Sequence, residues 1–135
     1  MFDLYIVDTH ALLWHLDGSP LLGDQARQVL DDPDARLILP AIALAEALFV
    51  LEKKASQFSI DENALLEKIG TDSRLEFTAL DQKTIQASLD CKAIPEIHDR
   101  QIVATAVLLQ SEDVEVAILT RDNNIRNVDL VPTVW

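Results

Sequence analysis

Cysteine, glycine and basic residues are all scarce in this chain. A single cysteine, Cys91, rules out an internal disulfide and leaves no cysteine cluster for a zinc site. Three glycines and five prolines are too few for a loop-rich or repeat-rich fold. Only 11 lysines and arginines stand against 23 aspartates and glutamates, for a net charge of −12. Such a chain has no broad basic surface with which to grip nucleic acid, although a small, metal-mediated site stays open. Long apolar runs are missing too. The most apolar stretch, Leu37–Leu51, contains Pro40 and Glu46 and runs straight into Glu52, Lys53 and Lys54. A membrane-spanning helix needs about 20 apolar residues. The opening MFDLYIVDTH carries Asp3 and Asp8 where a signal peptide would carry Lys or Arg. Together with the lone cysteine, this fits a reducing cytoplasm. There is no GxGxxG, no Walker loop and no nucleophile elbow.

What is present is an ordinary globular balance. With 135 residues, 49% apolar and 25% charged, the chain suits one domain spanning 1–135 and can bury a core without a staple. Leu4–Val7 is a short apolar run that suits a buried parallel strand. His10–Leu16 reads as a short helix stopped by DGSP, and Asp24–Leu30 as a second with Asp24 as its N-cap. Leu37–Leu39 reads as a strand, Ala41–Lys54 as a helix, and Asp61–Ile69 as an amphipathic helix ended by Gly70. Leu75–Ala79 is the third strand. Asp81 then caps a helix reaching Cys91, and a further helix restarts near Ile97 or His98 and runs to Leu109. Val116–Leu119 is the fourth strand; Val128–Val134 is a weak last strand that Pro132 places at an edge. The alternation predicts an α/β fold: a single-domain, three-layer α/β/α sandwich with a mostly parallel central sheet. Ligands in such sheets sit beyond the carboxyl ends of the strands.

Four acids break the pattern of ordinary solvated charge. Asp8 directly follows the first strand; its plain alternative is an N-cap. Asp122 follows the fourth strand, where a turn residue before Asn123 and Asn124 is the alternative. Glu46 has Ile42, Ala43, Phe49 and Val50 as helical neighbours and lies on no polar stripe, so it reads as a buried carboxylate. Buried, it needs a cation, a metal or a ring of donors, an ion pair with arginine being the plain alternative. Asp99 stands in a first helical turn, where dipole complementation or pairing with Arg100 would also explain it. Two acids after two strands and two near helix starts can be delivered to one sheet edge. Carboxylates without matching bases cannot stay ionised and close unless a cation joins them. Hard oxygen ligands select Mg2+ or Mn2+, which support phosphodiester or phosphoryl hydrolysis.

The segments IVDTHALLW (6–14), AIALAEALFVL (41–51), HDRQIVATAVLL (98–109) and ILTRDNNI (118–125) resemble, in order and spacing, the four acidic motifs of the PIN domain family. The opening DTHALLW is most similar to the VapC-type ribonuclease toxins. The resemblance spans essentially the whole chain. It implies a metal-dependent endoribonuclease site of Asp8, Glu46, Asp99 and Asp122. Asp8 and Asp99 would be central metal ligands, with Glu46 and Asp122 binding directly or through water. Thr120 matches the family's hydroxyl residue and would orient a ligand or water. It further implies one or two Mg2+ or Mn2+ ions, an RNA substrate, a homodimer, and a cognate antitoxin that covers the site. Many relatives carry an extra acid shortly before the third motif; here Glu96 is the nearest match and an accessory candidate.

Other residues carry weaker signals. Arg100, Arg121 and Arg126 lie beside the motif acids and are candidate RNA contacts, with ordinary surface charge or pairing to those acids as the alternative. His10 and His15 read as surface or half-buried residues, His98 as a helix-start residue next to Asp99. Trp14 reads as core or dimer interface, terminal Trp135 as uninformative, and Cys91 as a small helix residue rather than a nucleophile. A non-catalytic PIN scaffold that binds protein or RNA is the main competing function, but a scaffold has little physical reason to keep unpaired carboxylates together. A haloacid-dehalogenase-type phosphohydrolase would need a second acid in Asp8-Thr9-His10, and a receiver domain's order of acids and lysine is absent. The shortage of cations predicts weak RNA binding that responds shallowly to salt. A steep loss of activity with added salt, implying many phosphate contacts, would contradict it.

Overall fold

In a computed structural model the chain is described over residues 1–135. Five strands form one parallel sheet: β1 (Leu4–Val7), β2 (Leu37–Pro40), β3 (Leu75–Thr78), β4 (Val116–Leu119) and β5 (Thr133–Val134). Seven α-helices flank it in an α/β/α arrangement: α1 (Thr9–Asp17), α2 (Asp24–Asp31), α3 (Ala41–Lys53), α4 (Glu62–Thr71), α5 (Gln82–Ala87), α6 (Ile97–Leu109) and α7 (Asn123–Arg126). The strand order is β3-β2-β1-β4-β5. The chain therefore builds outward from β1 to β3, then crosses back to lay β4 on the other side of β1. That reversal opens a crevice at the carboxyl ends of β1 and β4, where a sheet of this kind accepts a ligand. The β1–β4 register sets the two strand ends side by side, with Val7 opposite Leu119. Asp8 and Thr120 are thus the first residues beyond the sheet on adjacent strands.

The central strands β1, β2 and β4 are buried at every position. They are continuous apolar runs because helices cover both of their faces. Edge strand β3 is only half covered. Helix α1 starts where the Asp8 carboxylate accepts the Thr9 N–H, and it stops at Gly18, whose φ of 66° closes the last turn. Helix α6 lies against α3, β1 and β4, which carries its first turn to the crevice.

Several boundaries differ from the sequence expectation; α4, for one, runs through Gly70, its expected stop, to Thr71. The Asp81-capped helix holds α geometry only to Ala87, and Ser88–Cys91 tightens to a 3-10 turn. The last strand is confined to Thr133–Val134, because Asp129 at φ 57° bends the chain out of extended geometry. It does lie at an edge, paired only with β4. A short helix, α7, occupies the stretch after Asp122 that looked like a plain turn. Gly23, not Asp24, is the N-cap of α2. The missing cap oxygen comes from the other end of the chain: the Trp135 carbonyl accepts the N–H groups of Gln25 and Ala26 at 3.0 and 3.2 Å. A Cβ on Gly23 would sit 2.5 Å from the Trp135 carbonyl carbon.

Gly23→Ala should therefore lift Trp135 off α2 and lower stability by about 1–3 kcal/mol in a denaturant titration. A midpoint equal to that of the unsubstituted chain would show that this approach is not tight.

Candidate active site

The crevice holds a cavity of about 380 Å3. Asp8, Glu46, Glu96, Asp99 and Asp122 all line it. Four elements deliver them: the end of β1, the middle of α3, the start of α6, and the turn between β4 and α7. Thr120 ties two of these together. Its hydroxyl donates to Asp8 Oδ2 at 2.5 Å and accepts the Asp122 N–H at 3.0 Å. Asp8 Oδ1 accepts the Thr9 N–H at 2.6 Å. The Thr9 hydroxyl donates in turn to Glu46 Oε1 at 2.5 Å, joining the β1 end to α3. Asp122 also caps α7 by accepting the Asn124 N–H. Asp8 and Asp122 are thus both helix N-caps and members of the cluster. The N-cap alternative for Asp8 is observed, and Asp122, whose alternative is a plain turn residue, caps α7.

Electrostatics show what this packing costs. Asp8 and Asp99 are buried, 7% and 6% exposed. Burial, partly offset by the bonds from Thr120 and Thr9, raises the Asp8 carboxyl to about 6. Burial raises Asp99 to about 8, helped by the charges of Asp122, Asp8 and Glu46 and by a side-chain hydrogen bond with Asp122 that needs the proton. No arginine or lysine pairs with any of the four motif acids. The one basic group within ion-pair distance is conditional on its proton: His98 Nδ1 lies 2.6 Å from Glu96 Oε1 and 3.6 Å from Glu46 Oε2.

The donor set fits a hard divalent cation, since every group offered is a carboxylate or hydroxyl oxygen. No three of these acids are drawn up around one point. Threonine bonds tie down Asp8 and Glu46, while Asp99 and Asp122 share a hydrogen bond that needs a proton.

Glu46, Arg100 and Trp135 depart from expectation, whereas His10, His15 and Cys91 match it. Glu46 is not buried; its side chain is 25% exposed. Its apolar neighbours misled because the outer face of α3 is uncovered, with Phe49 57% exposed. Arg100 faces neither the acids nor the cavity. Its Nε donates to the Ile94 carbonyl and its Nη2 to the Lys92 carbonyl, holding the loop before α6. Arg126 is exposed on α7, outside the cavity lining. Arg121 lines the cavity with its guanidinium over the Trp14 ring, 4.4 Å from the centroid. His10 is exposed at the cavity edge, while His15 lies half-buried in a separate hollow beside Arg74. Cys91 is fully buried, and burial pushes its thiol up, away from nucleophile behaviour. Trp135, read as uninformative, lines the cavity and meets Trp14 edge-on. Thr9 was missed; its place between Asp8 and the helix start was the available signal.

The PIN domain model matches residues 5–131. The chain belongs to the PIN domain family. Members of this family are generally nucleases. No curated protein matches this PIN domain in sequence. Two solved structures share its fold over nearly their whole length. VapBC2 from Rickettsia felis, bound to a DNA fragment from its promoter, superimposes with a TM-score of 0.68 at 16% identity, covering 97% of each chain. FitAcB from Neisseria gonorrhoeae gives 0.62 at 19% identity, covering 97% of this chain and 96% of that one. No helix of this PIN domain is long and apolar enough to cross a membrane.

Asp8 and Asp99 both titrate above the ordinary carboxyl value of 3.8, so folding takes up protons between about pH 4 and pH 8. Stability of the metal-free protein should therefore fall as pH rises through that window. In EDTA at pH 8, Asp99→Asn should melt higher than the unsubstituted chain. In saturating Mn2+ the unsubstituted chain should gain about 5–10 °C and the variant much less. Identical melting of the two proteins in both conditions would contradict convergence of the acids.

Proposed function

We propose that this PIN domain is a metal-dependent endoribonuclease that hydrolyses RNA phosphodiester bonds and acts as the VapC-type toxin of a toxin–antitoxin pair in the cytoplasm. The observation that carries the reading is the bridge Asp8–Thr120–Asp122, with buried Asp99 raised to about 8 beside it. A group of acids at a sheet's ligand-binding crevice, lacking basic partners, is a site prepared for an external cation.

Asp8 and Asp99 would hold Mg2+ or Mn2+, one ion or two, with Glu46 and Asp122 completing the set and Glu96 as an accessory. When bound, the metal supplies charge neutralisation and Lewis acidity for phosphodiester hydrolysis. The chain's own contribution is positional. Thr120 fixes the Asp8 carboxylate and the Asp122 backbone relative to each other. Thr9 orients Glu46 toward the same cavity. Asp99 holds a proton at neutral pH that it must release when a cation arrives. The acids also repel phosphate until they are neutralised, which makes RNA binding depend on the cation.

An antitoxin partner is supported by the fold shared with VapBC2, a complex whose name joins two components. A homodimer and an antitoxin both need apolar surface. Exposed Phe49, Leu89 and Ile97 supply it, at 57, 63 and 65%. The scaffold reading draws its one support from the acids, no three of which converge on one point.

The purified chain should cleave a mixed pool of structured RNA with Mg2+ or Mn2+ and fail in EDTA. Asp8→Asn and Asp99→Asn should each lower the rate by about a hundred-fold or more. Cleavage that survives both substitutions would overturn the assignment. Metal binding controlled by Asp99 with no cleavage of any RNA would favour the scaffold.

A further inference from the structure

The wall of the cavity beside the carboxylates is aromatic rather than acidic. Arg121 stands next to Asp122 in sequence, yet it enters no ion pair. Its guanidinium lies over the Trp14 ring instead, at 4.4 Å from the centroid. Trp135 meets Trp14 edge-on with centroids 5.8 Å apart, and His10 tilts against Trp14 at 5.1 Å. Trp14 is 7% exposed and packed in the core, whereas Arg121 and His10 are exposed and Trp135 is half-buried. All four line the same cavity as Asp8, Asp99 and Asp122.

Two anchors make this wall rigid. Trp14 sits in α1, which Asp8 itself caps. Trp135 is pinned through its carbonyl to the start of α2. A guanidinium placed over an indole is a planar cation, and exposed Arg121 keeps its N–H donors open to a further planar group. Rigid planar groups of this kind bind unpaired nucleobases by stacking. The charge balance points the same way. At −12 the chain has few cations for a phosphate backbone, and stacking gains free energy without them.

We propose that Arg121, backed by Trp14 and flanked by Trp135, is a stacking seat for an unpaired nucleobase of the RNA next to the phosphodiester that the carboxylates address. The inference rests on reading those carboxylates as an RNA-cleaving site. It assigns Arg121 to base recognition rather than to phosphate contact. The substrate is then single-stranded at the point of attack, and Arg121 and Trp135 are specificity-determining residues.

The chain has two tryptophans, and both are in the wall, so indole fluorescence reports the seat directly. The test titrates the full-length unsubstituted protein with Ca2+ present, which neutralises an oxygen site without the strict octahedral geometry that Mg2+ brings to hydrolysis. One ligand is a short adenylate RNA; the other is an abasic ribose-phosphate chain of the same length. The adenylate RNA should quench the emission and bind about ten-fold or more tighter than the abasic chain. Adding Arg121→Lys, which keeps the charge and loses the plane, should remove most of that preference. Trp135→Phe should retain more of it than Trp135→Leu. Equal binding of the two ligands, or a preference that survives Arg121→Lys intact, overturns the seat. Cleavage assays on the parent chain keep the two readings apart. Cleavage without base preference overturns the seat and leaves the nuclease standing. Base preference without cleavage in any divalent metal supports the seat and overturns the nuclease.

Discussion

Burial of unpaired carboxylates at one edge of the sheet governs this molecule. Asp8 and Asp99 are both buried, Asp122 and Glu46 line the same cavity, and no lysine or arginine pairs with any of the four. Left to itself, such a group would spread into solvent or take up protons. The fold prevents the first and accepts part of the second. Parallel pairing of β1 with β4 fixes the ends that carry Asp8 and Thr120, and α6 is packed against both strands. Stability is given up at this edge, and the apolar strands β1, β2 and β4 offset it. A costly polar cluster carried by a well-packed apolar scaffold is a pattern common at functional sites.

Threonine hydroxyls take the place that arginines would fill in a structural ion-pair network. Thr120 and Thr9 each satisfy one acid oxygen without neutralising its charge. The acids are thereby oriented while their demand for a cation remains. An arginine in either place would have stabilised the protein and closed the site. The one arginine with access to the cavity, Arg121, is drawn onto Trp14 instead.

Much of this was legible in the sequence, for physical reasons that can be named. Buried parallel strands are apolar at every position, so β1, β2 and β4 stand out, and the acids at their ends mark the crevice. The strong helix formers of α3 and α6 likewise fix those elements. What stayed hidden depends on contacts between distant segments. Gly23 gives no cap signal because its partner is the Trp135 carbonyl, at the opposite end of the chain. Trp135 looked idle for the same reason. Glu46 was misjudged because helical periodicity reports apolar neighbours but not whether anything covers them; Phe49 and its face are open. Arg100 sits beside Asp99 in sequence, yet its guanidinium turns back to the loop carbonyls of Lys92 and Ile94. Adjacency along a helix start says little about direction. The short β5 was overextended because a single residue, Asp129, reverses the backbone.

The account turns on whether the acids form one cation site held ready in protonated form. Calorimetric titration with Mn2+ at pH 7, repeated in buffers of different ionisation enthalpy, measures binding and proton release together. The account predicts saturable binding that expels about one proton, chiefly from Asp99, with the release vanishing above about pH 9. Absence of Mn2+ binding, or binding that releases no proton at pH 7, would contradict it.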